Sequence, residues 1–274
     1  MKTLLIRLGI TGLSLGLLFF TCVYGLSSWM MQEKYIPQER SFVVSPGANI
    51  EEGRRFAVIR GCTDCHGKDA AGGDFYGLHA PNLEVVAKQY SDNDLERSIR
   101  QAIRPDGTSV YSMTSDAYQH LSDIDLSHII VYLRSLNSVQ ETSNVFSPNF
   151  RYRLGIIKGG HQPVVNAIHS QAPPAEAPKN NAENFGRYLA YSVCSECHAP
   201  DLKGYKGFSP SLVTTLAYQR LDFNLLMSTG TGLGGRDLGL MSISSKERFS
   251  LFSDAEFTAL FTYFQSEQFL QDIQ

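Results

Sequence analysis

Apolar positions along this chain fall into one unbroken run and two sets of helical periodicity. Leu8 to Met31 carries no charged side chain over 24 residues, about 36 Å as a helix against a hydrocarbon core of about 30 Å. Further on, Leu126, Ile129, Ile130 and Leu133 stand at i, i+3, i+4, i+7, and Phe257, Leu260, Phe261 and Phe264 repeat that spacing near the C-terminal end. Each set follows a capping signal, Ser122-x-x-Asp125 and Ser253-x-x-Glu256, in which the serine satisfies a free backbone N–H. Amphipathic stretches at Ile50 to Arg60 and Asn184 to Val193 predict a second pair of helices. Each of these leads into the same short string, Cys62-Thr-Asp-Cys-His66 and Cys194-Ser-Glu-Cys-His198.

The step from Cys62 to Cys194 agrees to within one position with the step from Leu126 to Phe257, and more than the motif matches. Asp69 and Asp201 come three residues after the motif histidine, Gly72 and Gly204 six after it, and Phe56 and Tyr188 six before the first cysteine. The chain reads as a tandem duplication: a segment over 1–31, a tether over 32–47, one unit over 48–138, a connector over 139–181 and a second unit over 182–274. The coarse order in each unit is helix, motif turn, short helices and a closing helix, with Phe56, Tyr188, Tyr132 and Tyr263 read as core. Within the connector, Phe150 to Ile168 suits a small hairpin or a strip along one unit. Gln171-Ala-Pro-Pro-Ala-Glu-Ala-Pro-Lys179 is a stiff, extended linker by composition.

Charge decides which way the apolar run points. Lys2 and Arg7 precede it and no comparable basic cluster follows it, so the N-terminus is expected in the cytoplasm and everything from Gln32 onward outside the cytoplasmic membrane, on its periplasmic or exterior side. Val23-Tyr24-Gly25 is a poor cleavage site and Phe19-Phe20-Thr21 lacks the small residues that precede a lipidated cysteine. The reading is therefore an uncleaved single-pass anchor rather than a removed signal, with Trp29 placed where an indole suits the interface. The formal charge of −3 gives no hint of a nucleic-acid partner. Without Lys2 and Arg7 the exported part has 22 bases against 27 acids, or −5.

Five cysteines do not make a disulfide framework, and C-x-x-C-H is the pattern of c-type haem attachment. Two thiols at that spacing are presented from one turn, and the adjacent histidine is placed to face the iron. Cys62, Cys65, Cys194 and Cys197 are the expected attachment points for two covalent haems c, with His66 and His198 as iron ligands. A zinc site would need a fourth ligand at similar spacing, and neither unit offers one. For the sixth position, Met113 follows His66 and Met241 follows His198 at nearly the same separation. Both precede the closing helix from polar, glycine-containing loops. Thioether sulfur suits haem iron and raises its potential relative to histidine. A lone methionine is more often core filler; equivalent placement in the two units favours ligation. His79, His120, His128 and Met227 are the rivals, and Arg104 and Tyr111 are candidates to bond a haem propionate.

Arg60-Gly-Cys-Thr-Asp-Cys-His-Gly67, Ala80-Pro-Asn-Leu83, Met113 and Leu121-Ser-Asp-x-Asp-Leu126 make the chain resemble the membrane-anchored dihaem members of the class I cytochrome c family. It is also similar to the cytochrome subunits of periplasmic dehydrogenase complexes. The resemblance covers about Ile50 to Leu136 and Asn184 to Gln265. It implies an all-α fold, with an N-terminal transmembrane helix followed by two tandem class I cytochrome c domains. In that family a proline after the motif offers its carbonyl to the ligand imidazole. Pro81 and Pro210 match, Pro81 lying three residues further from its histidine. Ala199 departs from the glycine many members carry after the motif. The implied role is single-electron transfer in a respiratory chain, an electron carrier rather than an enzyme. It would work with redox protein partners, between a quinol-oxidising complex or dehydrogenase and a terminal oxidase or soluble carrier, with no small-molecule substrate. The competing reading is a dihaem peroxidase with one open iron, against which the matched Met113 and Met241 argue.

Overall fold

A computed structural model describes residues 2–75, 77–137, 146, 148–168 and 179–274. Helix α1 (Lys2–Met31) projects its leucines and phenylalanines outward along most of its length, Leu13 and Leu17 among them. Thr3–Met31 is long and apolar enough to cross a membrane.

The segment after α1 is bound rather than loose. Lys34 bridges to Thr108, and the backbone N–H groups of Phe42, Val44 and Ser45 donate to Asn93, Asp92 and Ser127. Phe42 is buried beneath it. Residues expected as a tether are therefore a strap along the first unit.

In that unit α2 (Ile50–Ile59) is capped by Asn49 and α3 (Cys62–His66) carries the motif. A hairpin follows, β1 (Gly73–Phe75) antiparallel to β2 (Leu78–Ala80). Then come α4 (Leu83–Gln89), α5 (Asp92–Arg100), the single turn α6 (Ser115–Tyr118) and the closing helix α7 (Asp123–Ser135). Helices α2 and α7 cross so closely that a Cβ on Gly53 would lie 1.9 Å from the His128 carbonyl oxygen and 2.7 Å from Tyr132 Cβ.

The connector contributes α8 (Phe150–Ile157), a helix and not the hairpin that was one of the two expectations. It packs on α1, and the connector lies along the first unit, where the Asn149 and Val164 N–H groups donate to the Gly77 and Val110 carbonyls. Phe150 stacks on Phe20 with ring centroids 4.3 Å apart, and Arg153 donates to the hydroxyls of Ser27 and Ser28 at 3.0 and 2.9 Å. Apolar side chains at the end of α1 and on α8 (Met30, Met31, Tyr152, Ile156) join Leu78 and Tyr111 in a small second core. The Pro/Ala stretch falls, for residues 171–178, outside the described residues.

In the second half α9 (Ala182–Leu189) runs through a π-helical turn, Ala190–Cys194, into α10 (Ser195–His198). Helix α11 (Arg220–Thr229), a short β3 (Thr231–Gly232)/β4 (Arg236–Asp237) pair, α12 (Leu240–Glu247) and the closing helix α13 (Asp254–Phe264) follow. A last helix, α14 (Glu267–Asp272), has no counterpart among the described residues between α7 and α8. Helices α9 and α13 repeat the close crossing: a Cβ on Gly186 would lie 2.0 Å from the Ala259 carbonyl oxygen and 2.7 Å from Tyr263 Cβ.

Those two glycines correct the register read from the sequence. The step from Gly53 to Gly186 is one position longer than the step from Cys62 to Cys194. On the helix, Tyr188 therefore matches Arg55, not Phe56. The first half breaks at Gly61 before its motif, while the second runs through the π turn one residue shorter.

The corrected register explains how the halves dock. Arg55 Nη1 donates to Glu256 Oε2 at 2.7 Å, and the Tyr188 hydroxyl donates to Asp125 Oδ2 at 2.7 Å. Asp125 and Glu256 are the matching acids of the two capping signals. Each half thus reaches from the same helical position to the same acid of the other, as a pseudo-twofold axis requires. Arg60 completes the first site, 3.0 Å from Asp125 and over the Phe56 ring. Phe56, Tyr132, Tyr188 and Tyr263 are all buried in a core that runs through both halves, but Tyr188 also carries this polar contact.

Candidate functional site

Each motif opens onto a cavity. The first holds about 610 Å³ and is lined by Cys62, Cys65, His66, Pro81 and Met113, with Leu83, Val86, Ile129 and Leu133 among its apolar walls. Because Cys62 and Cys65 are three apart on α3, their thiols share one face of the turn. The Pro81 carbonyl lies 2.8 Å from His66 Nδ1. A carbonyl only accepts, so Nδ1 carries the proton and Nε2 is left with its lone pair. Burial lowers the His66 pKa, partly opposed by that hydrogen bond. Burial also pushes the Cys62 thiol up to about 12 and Cys65 up to about 11, so both are neutral nucleophile precursors rather than thiolates.

The loop holding Met113 is pinned from outside the unit. Ser112, at φ 59°, shares a 2.6 Å hydrogen bond with the Tyr152 hydroxyl of α8. Arg104 reaches the same cavity, donates to Thr108 Oγ1 at 3.1 Å and to the Ser109 carbonyl, and lies over the Phe146 ring. Tyr111 stacks on that ring from the same loop.

The second cavity holds about 350 Å³, lined by Cys194, Cys197, His198, Pro210 and Met241, with Leu212, Phe223, Leu226 and Phe264 as apolar walls. The details repeat. His198 Nδ1 lies 2.8 Å from the Pro210 carbonyl, burial lowers the imidazole pKa, and it pushes Cys194 up to about 12 and Cys197 up to about 11. The turns after the motif match too: the Gly72 and Gly204 N–H groups both donate to the motif histidine carbonyl at 2.8 Å. Both volumes lie in the range of roughly 300–1,000 Å³ usual for cofactor sites.

The rival ligands separate. His128 sits on α7 with Nδ1 accepting from the Asn49 N–H at 2.7 Å. His120 packs against Tyr191 between the halves, where burial lowers its pKa to about 4. His79 lines the first cavity with Nδ1 on Asp74 at 3.0 Å. Met227 lines the second cavity beside Met241, and Met31 of α1 lines the first beside Met113.

Two buried arginines and a partly buried glutamate border the cavities without having been read as site residues from the sequence. Arg60 borders the first cavity, Arg248 the second and Glu196 both. Glu196 carries a local signal in its place inside a motif and Arg60 in standing two residues before one, whereas Arg248 carries none.

The donor set fits haem c in each cavity. Two neutral thiols on one turn, an imidazole held by its Nδ1, a thioether on the wall and an apolar chamber are the groups that such a cofactor uses. Among the described residues no cluster of three or more His, Cys, Asp or Glu side chains is gathered as a separate metal site.

Comparison with known proteins agrees for the first half. Residues 50–137 match the family model of cytochrome c, so the chain carries a cytochrome c domain. The fructose dehydrogenase cytochrome subunit of Gluconobacter japonicus is 26% identical over 167 residues, which is 58% of this chain and 33% of that protein. The chain thus spans about a third of that relative's length. Over the matched residues the chain is similar to a cytochrome c domain and to a dehydrogenase cytochrome subunit.

Proposed function

We propose that this protein is a membrane-anchored dihaem carrier that passes single electrons at the outer face of the cytoplasmic membrane. The observation that carries the proposal is the repeat of one donor set. In each half a cysteine pair, a histidine fixed by a proline carbonyl and a methionine line a single apolar cavity. Haem c in each cavity would supply one-electron exchange between ferric and ferrous iron.

The residues divide the work. Cys62, Cys65, Cys194 and Cys197 hold the cofactors covalently. The carbonyls of Pro81 and Pro210 orient His66 and His198 and raise their donor strength. Met113 and Met241 would take the remaining iron positions and leave neither iron a place for a substrate, and the apolar walls would limit water around the cofactor.

Helix α1 serves as the anchor, with the two cytochrome c domains beyond it. The end of α1 supplies Ser28 and Met31 to the wall of the first cavity, so electrons exchange with a membrane-bound donor on that side. The second half is the exit toward a terminal oxidase or soluble carrier. The named relative suggests a dehydrogenase as the donor.

A redox-poised visible spectrum tests the assignment. Both haems should be low-spin, with the sulfur-to-iron band present when oxidised. Met113→Leu and Met241→Leu should each remove about half of that band, and Met227→Leu should leave it whole. A high-spin fraction that binds peroxide in the native protein would replace the carrier with a peroxidase.

A further inference from the structure

One buried cation joins the two motif turns. Arg248 follows α12 and is only 4% exposed. Its Nε and Nη2 donate to the Ile59 carbonyl at 3.0 and 2.8 Å. Nη2 also donates to Glu196 Oε2 at 2.6 Å, and Nη1 lies 3.5 Å from Asp64 Oδ2. The guanidinium lies against the start of the first motif, with its carbon 3.0 Å from where a Cβ on Gly61 would stand.

Asp64 and Glu196 hold the same place in Cys62-Thr-Asp-Cys-His66 and Cys194-Ser-Glu-Cys-His198, the second residue between the cysteines. One arginine therefore engages the equivalent acid of both motifs, together with the last carbonyl of α2. The arrangement has no symmetric partner: at the offset that relates the two closing helices, the position matching Arg248 is Ala117, buried and uncharged. Its partners come from both halves, Ile59 and Asp64 from the first and Glu196 from its own.

We infer that Arg248 is a positioning residue that clips the two haem-attachment turns together and keeps a permanent positive charge between them, where it would act on a haem held by either motif. The inference rests on the two-haem reading. A fixed cation in a poorly solvated site favours the reduced, less positive iron, so Arg248 raises both reduction potentials. The effect is larger at the second haem, whose cavity it lines directly. Asp64 and Glu196 act in the opposite sense, and Arg248 offsets them.

The test is a potentiometric titration of the holoprotein, followed in the visible spectrum, with haem counted per chain. Arg248→Gln should lower both midpoints, the second-half haem by more. Arg248→Lys, which keeps the charge without the fork, should restore most of the fall; a purely packing role would not distinguish the two. Glu196→Gln should raise both midpoints, and it serves as the test if Arg248→Gln does not accumulate as a two-haem protein. Two haems per chain with midpoints unmoved or shifted the other way would overturn the inference. A single haem in the unaltered protein would instead remove the reading on which it rests.

Discussion

Around the first motif, the cavity walls draw on α1, the connector and the strap's neighbours; around the second, every lining residue comes from 193–264. The first cavity is accordingly larger, about 610 against 350 Å³, and its Met113 loop is pinned by Tyr152 of α8. The second keeps Phe208 and Leu240 at its edge, 61% and 53% exposed. Two copies of one donor set have thus been enclosed differently. One is built against the end of α1 and the other is left with an apolar, accessible rim. The chemistry at each motif depends on local sequence, whereas access to it depends on what the rest of the chain lays over the site.

The turn after each motif differs in a second way. Gly67 has φ 82° and ψ 153°, and its counterpart Ala199 has φ 66° and ψ 158°. That region is close to glycine-only, because a Cβ crowds the neighbouring carbonyl. The second half therefore holds strain where the first holds none.

Four outcomes would sharpen or break this comparison. The largest concerns what the halves share. Gly53→Ala and Gly186→Ala should each cost about 3 kcal/mol or more in denaturant unfolding, because the new Cβ meets backbone that cannot move aside. Comparable stability to the parent in either variant would mean that the helices do not cross at van der Waals contact.

Next come the two cross-half contacts. Tyr188→Phe leaves the buried Asp125 without its neutral donor and should cost about 1–3 kcal/mol. Arg55→Met leaves Glu256, only 4% exposed, with Ser253 as its remaining partner and should cost a similar amount, about 1–3 kcal/mol. A negligible loss in either variant would contradict the matched role of the two contacts.

The third outcome is a gain. Ala199→Gly should raise unfolding stability by about 1 kcal/mol, and Gly67→Ala should lower it. No change in either would place the strain elsewhere.

The smallest effect is on pH. Burial raises the Glu256 pKa, but the Arg55 and Ser253 hydrogen bonds outweigh it and hold the folded value below the usual 4.5. The carboxylate therefore adds stability that is complete above the unfolded value. That contribution is lost as pH falls through the depressed folded one. Acid titration of unfolding stability should show this loss, and Glu256→Gln should remove it.

Much of this architecture is legible in the chain. The period of Leu126 to Leu133 and its repeat at Phe257 to Phe264 place both closing helices, and the serine caps set their starts. Ser253 forms the full reciprocal box with Glu256. At Ser122 only the serine half forms, because the Asp125 carboxylate turns to Arg60 and Tyr188. The motif residues, both prolines and both methionines line the two cavities, each from a short, locally determined segment. What could not be read are the contacts made over long separations. Arg55 meets Glu256 across 201 residues and Arg248 meets Ile59 across 189, and neither arginine differs locally from a solvated one. The π turn hid the true helix register, because alignment on the cysteines shifts Tyr188 onto Phe56. Within Phe150 to Ile168 the hairpin alternative gives way to a helix over Phe150–Ile157, because its apolar residues are shared between α1 and the first unit.

The central claim, one covalent haem in each half, is most directly tested by the intact mass of the purified polypeptide under denaturing conditions. The account predicts a mass of the chain plus two haems, falling to one when Cys194 and Cys197 are both replaced by serine. A native chain carrying a single haem, unaffected by those replacements, would contradict it.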